Sequence, residues 1–90
     1  ANWTEAFAKT LALREGLDLD AAHWEVIRLL REQYARHGSQ ASVRDMVRHY
    51  CKVWDAERGS NRCLHRLFPR GGPQKQGNRL ARLLRTKGEH

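Results

Sequence analysis

Cys51 and Cys63 are the two side chains in this ninety-residue sequence able to act as sulfur nucleophiles. Arg48 and Arg66 stand one helical turn from them, and cationic neighbours favour the thiolate that such chemistry requires. The plainer reading makes each a small, half-buried helix residue. Five histidines are scattered along the chain, and His23 and His37 read as caps, surface groups or packing residues. No HExxH, P-loop, paired-carboxylate or Cys/His ligand spacing occurs, so no catalytic residue, metal or cofactor is assigned. Two cysteines do not make a disulfide scaffold, and the expected setting is a reducing cytoplasm.

The formal charge of +7 is unevenly placed. Residues 1–43 hold five Lys/Arg against six Asp/Glu, whereas residues 57–90 hold nine against two. An acidic partner or nucleic acid would therefore be met by the second half. The apolar fraction of 40% supports a modest core. No apolar run approaches the ~20 residues that span a bilayer. The sequence opens on Ala1-Asn2-Trp3 without an initiator Met, which leaves room for a preceding segment.

The elements that must position these groups read as helices. Trp3 to Glu15 places Phe7, Leu11 and Leu13 near one side, with Asn2 or Thr4 as cap and Gly16 as stop. Asp20 caps the next segment, in which Trp24, Ile27, Leu30 and Tyr34 recur at helical spacing and Val26 and Leu29 widen the stripe. Gly38 ends it. Ser42 then caps a third helix, with Asp45 in the capping-box position. Its apolar face holds Val43, Met46, Val47 and Tyr50, continued by Val53 or Trp54. Ser60 or Asn61 opens a short fourth helix with Cys63, Leu64, Leu67 and Phe68, ended by Pro69 and the Gly71-Gly72-Pro73 turn. A fifth is predicted from Gln74 to about Leu84, with Arg79, Arg82 and Arg85 sharing one side. The expected fold is all-α: a small bundle of about five helices with a helix-turn-helix-like element and a C-terminal arm. Residues 1–70 would form the core and 71–90 the basic arm of a single domain.

Helices two and three, joined by a short turn, outline a helix-turn-helix in which Arg44, Arg48 and Lys52 could reach bases or phosphates. Arg62, Arg66, Arg70, Lys75, Gln76, Arg79, Arg82 and Arg85 complete the candidate contacts to a protein partner or DNA. The arm after Gly71-Gly72-Pro73 has two outcomes. It docks into a partner's groove, or it folds back as a fifth bundle helix.

HWEVIRLLREQY (His23 to Tyr34), VRDMV (Val43 to Val47), GSNRCLHRLFP (Gly59 to Pro69) and GGPQKQ (Gly71 to Gln76) together resemble the DsrC/TusE family of sulfur-relay proteins. The similarity runs from Trp3 through the whole chain. It implies a small helical protein with a mobile C-terminal arm, whose penultimate cysteine carries sulfur as a persulfide or trisulfide. It also implies an N-terminal β-hairpin before Trp3, absent or trimmed here. A second arm cysteine stands two residues after the KQ pair in DsrC proteins. The implied partners are sulfite-reductase-type complexes, or a sulfur donor and a tRNA-thiolating enzyme.

Counted without gaps from Lys75-Gln76, those two cysteine positions are Asn78 and Glu89. Neither side chain can form a persulfide, which needs a thiolate. The family's proline-bearing AGLPKP stretch is here ARLLRTK, consistent with an arm that binds as a helix. The first functional reading is therefore a non-carrier, regulatory or partner-binding paralogue in sulfur metabolism or tRNA thiolation. The second is a DNA-binding regulator of sulfur-metabolism genes. The third is a sulfur carrier working through Cys51 or Cys63.

Overall fold

A computed structural model describes residues 3–83. These form five helices and no strand: α1 (Glu5–Arg14), α2 (Ala21–His37), α3 (Val43–Val53), α4 (Asn61–Leu67) and α5 (Gly72–Ala81). The all-α bundle expected from periodicity is the observed fold. Among the described residues no helix is long and apolar enough to cross a membrane.

Local signals set most boundaries. The Thr4 hydroxyl accepts from the Phe7 N–H, so Thr4 rather than Asn2 caps α1. At its end, Leu17 N–H donates to Ala12 O and Gly16 N–H to Leu13 O, a Schellman closure that needs the left-handed backbone of Gly16. Asp20 and Ser42 cap α2 and α3 through reciprocal capping boxes, and Ser60 caps α4.

Packing corrects the α1 stripe. Its inner face is Ala8 and Ala12, with Phe7 and Leu11 alongside, while Leu13 is 76% exposed. The small alanines let α5 approach. The core continues through Val26, Ile27 and Leu30 of α2, Met46 and Tyr50 of α3, Leu64 and Phe68 around α4, and Leu80 and Ala81 of α5. Burying each large aliphatic side chain contributes about 1.5–3 kcal/mol. Of the two residues that could extend the α3 face, Trp54 does so: it stacks on Tyr50 at 4.1 Å, and Val53 is exposed.

Within the described residues, the arm folds back as a fifth bundle helix over Gly72–Ala81. Gly72, Pro73, Gln76, Gly77, Asn78, Leu80 and Ala81 are all buried, and α5 packs against α1, α2 and α4. Residues 84–90 of the arm lie outside the described residues. A Cβ placed on Gly77 would stand 2.7 Å from Leu30 Cδ1, so this glycine sets how closely α5 approaches α2.

The fifth helix also begins two residues before the expected Gln74, with Pro73 in its first turn. It stops at Ala81 rather than near Leu84, because Arg82 takes a left-handed conformation with φ of 54°. The Arg82 and Leu83 N–H groups turn back to Arg79 O and Asn78 O. Trp3 Nε1 donates to Leu80 O at 2.7 Å and Arg31 Nη1 to Ala81 O at 2.8 Å. Side chains distant in sequence therefore satisfy the carbonyls that another turn would have used.

Candidate functional site

The arm region is where the resemblance places function, and its centre is Glu15. This carboxylate sits at the C-cap of α1, where the Schellman turn holds its backbone. Gln76 Nε2 donates to Oε1 at 2.7 Å, and Arg79 donates to both oxygens at 3.0 and 3.2 Å. Arg79 also donates to Arg70 O at 2.7 Å, while Gln76 Oε1 accepts the Arg70 N–H at 3.0 Å. These bonds tie the turn before α5 to α5 itself and to the far end of α1. The bidentate Arg79 guanidinium, assisted by Gln76, outweighs burial and holds Glu15 below the ordinary carboxylate range.

Of the expected contact residues, Gln76 is fully buried, whereas Arg79 pairs with Glu15 and keeps its side chain 45% exposed. Of the three arm arginines, Arg79 and Arg82 do not continue one helix. Arg79 lies on α5, Arg82 lies beyond its end with its guanidinium 5.3 Å from the Phe7 ring, and Arg85 lies outside the described residues. A glutamate at position 79 would face Glu15 and replace this ion pair with a repulsion.

Asn78 occupies the position of the implied second arm cysteine. It is 2% exposed, and its Nδ2 donates to Gln74 O at 2.6 Å. Its Oδ1 is buried with no hydrogen-bond partner among the described residues. Glu89, the other implied carrier position, lies outside the described residues.

The thiols sit elsewhere. Cys51 is on α3, half-buried, with Sγ 3.8 Å from Ala56 O. Cys63 is on α4 and half-buried. The two are not paired. No cluster of three His, Cys, Asp or Glu able to hold a metal occurs among the described residues.

Arg44, Arg48 and Lys52 are exposed at four-residue spacing along α3, and Arg62, Arg66, Arg70 and Lys75 are exposed on and beyond α4. Charge thus lines the outside of the second half. α3 packs principally on α4, while the closest partner of α2 is α5. α2 and α3 still meet in the core, where the Tyr50 hydroxyl donates to Glu25 O at 3.1 Å.

Sequence reasoning assigned His23 no specific task, and the structure gives it one. It is 5% exposed, packs edge-on to Phe68, and its Nε2 meets Leu67 O at 2.7 Å. A carbonyl only accepts, so Nε2 carries the proton, while Nδ1 lies 3.1 Å from the Asp20 backbone nitrogen, from which it can accept, and 2.9 Å from Asp20 Oδ1, to which it donates when it carries a proton. The histidine thereby pins the end of α4 to the start of α2. Burial works against ionisation of Asp20, but the His23 backbone N–H and ring keep its carboxyl below the ordinary value.

Comparisons with known proteins agree in both sequence and shape. The family described as DsrC like protein matches residues 1–88. The chain is 42% identical over 81 residues to sulfurtransferase TusE of Salmonella choleraesuis (strain SC-B67), covering 90% of this chain and 73% of that protein. It is 40% identical over 82 residues to sulfurtransferase TusE of Sodalis glossinidius, covering 91% and 75%. The NMR structure of Allochromatium vinosum DsrC superposes with a TM-score of 0.82 at 32% identity, over 99% of this chain and 79% of that one. The oxidized gamma-subunit of the dissimilatory sulfite reductase (DsrC) from Archaeoglobus fulgidus gives 0.79 at 32% identity, over 99% and 81%.

Proposed function

The chain belongs to the DsrC-like family of sulfur-relay proteins, and on that premise we propose that it is a partner-binding member that does not itself carry sulfur on its arm. Its partner is a protein of the sulfur-transfer or sulfite-reductase type, met in the cytoplasm, and its role is regulatory or competitive. The observation that carries this reading is at position 78. A sulfur carrier must present a thiolate to a donor and then to an acceptor. Here an asparagine occupies that place, 2% exposed, on a helix clamped through Glu15, Gln76 and Arg79. Position 89, the other implied carrier place, holds a glutamate.

Intact-mass spectrometry after incubation with a sulfane-sulfur donor tests it, beside a cysteine-bearing TusE in the same assay. The expected result is loading of TusE and no reductant-labile sulfur on this chain, which nevertheless competes with TusE for its protein partner. Sulfur mapped to Cys51 or Cys63 would instead make the chain a carrier at a relocated site. The DNA-reading alternative rests on the exposed Arg44, Arg48 and Lys52 alone. Tight binding to duplex DNA with a steep salt dependence would favour it over the protein-partner reading.

A further inference from the structure

A cavity of about 500 Å³ opens where the start of α2, the α3–α4 connection and α4 converge. Ala21, Ala22, Trp54 and Leu67 supply apolar wall, and Cys63 is part of the lining. Three charged residues also line it: Glu25, Arg58 and Arg66. Two of these are already matched. Glu25 pairs with Arg28 at 3.9 Å and Arg58 with Asp55 at 2.8 Å. Arg66 has no acidic partner among the described residues.

An apolar hollow within the size range of small-ligand sites, with one unmatched guanidinium, is complementary to an apolar body with a single anionic head. We propose that this cavity binds a small aromatic carboxylate, its ring among Ala22, Trp54 and Leu67 and its carboxylate on Arg66. Tyr50 already covers one face of the Trp54 indole, which fixes that wall in place. The guanidinium fork matches a carboxylate in two parallel hydrogen bonds, which a lysine cannot reproduce. This site is independent of whether the chain carries sulfur.

Cys63 gives the site its own reporter, and Cys51, outside the cavity, is the internal control. The experiment follows N-ethylmaleimide alkylation of both cysteines by peptide mass spectrometry, with 2-naphthoate, 2-naphthylmethylamine or acetate present. The expected result is that 2-naphthoate slows alkylation of Cys63 and leaves Cys51 unchanged, while the amine and acetate slow neither. Arg66→Glu should weaken that protection at least about tenfold, as loss of a charge-assisted contact implies, and Arg66→Lys should weaken it less. Equal slowing of both cysteines, equal protection by the amine, or full protection in folded Arg66→Glu would overturn the proposal. So would protection by an acidic peptide with none by 2-naphthoate, because the occupant would then be a protein segment. If maleimide does not reach Cys63, the Trp54 indole N–H resonance is the second readout. A shift with 2-naphthoate and none with the amine supports the site, and no shift overturns it.

Discussion

The Trp3 indole donates its N–H to the carbonyl oxygen of Leu80 at 2.7 Å, across 77 positions of sequence. Arg31 adds a second tie, with its guanidinium 4.4 Å above the Trp3 ring while it donates to Ala81 O. Replacing Trp3 by Phe keeps an aromatic body and removes the donor, leaving the Leu80 carbonyl without its partner. Loss of about 1–3 kcal/mol is expected. Urea unfolding of the two proteins, read by far-UV circular dichroism, measures it. An unchanged midpoint would mean that the bond does not hold the end of α5.

Glu15 gives the fold an acid sensitivity of known sign. Its folded pKa lies below the ordinary 4.5, chiefly through Arg79. Its contribution is therefore complete above that value and is lost as pH falls through the lowered one. Between about pH 6 and about pH 3 the unfolding midpoint should fall more steeply in the parent protein than in Glu15→Gln. The Gln variant should also be the less stable of the two at neutral pH. Parallel pH curves would remove Glu15 from the account.

A methyl group added at Gly77 would stand 2.7 Å from Leu30 Cδ1, so either α5 or the fully buried Leu30 tip must shift. Gly77→Ala is expected to cost about 1–3 kcal/mol, despite the better helix propensity of alanine. Thermal unfolding reports the balance. Stabilisation would show that α2 and α5 have slack between them. Gly59→Ala should do more damage, because the new Cβ would overlap the Tyr50 and Cys51 backbone rather than a side-chain tip.

Position 78 can be asked directly how well it presents a thiol. Asn78→Cys, made in a Cys51→Ser, Cys63→Ser background, should react with maleimide more slowly than either native cysteine does in the parent protein. Its access depends on the opening of α5. Hydrogen exchange of the α5 amides should track that slow rate. Rapid labelling with α5 still protected would contradict the burial seen here and weaken the non-carrier reading.

What could be read from the sequence was local. Thr4, Asp20, Ser42 and Ser60 cap through side chains two or three residues from their targets, and Gly16 closes its turn within one helix. The helix count and the family motifs were legible for the same reason. The fate of the arm was not. Gln76 and Asn78 look like surface residues, and their burial depends on Glu15 and on packing against α1, α2 and α4. The early stop after Ala81 depends on Trp3 and Arg31, neither of which is near it in sequence. Leu13 misled through its type: periodicity grouped it with Leu11, whereas the face that meets α5 is built from alanines. The cavity beside Cys63 gathers residues from α2, α4 and their connections, which no spacing rule joins.

The pairing of α1 with α5 also bears on how the chain is made. During synthesis Ala8 and Ala12 emerge long before Leu80 and Ala81, and until then the alanine face of α1 has no α5 to cover it. The bonds from Trp3 to Leu80 and from Glu15 to Arg79 close loops of 77 and 64 positions, so they come late and gain nothing from local nucleation. On the ribosome, α2, α3 and α4 can gather first. The first helix gains its main packing partner only when α5 is available.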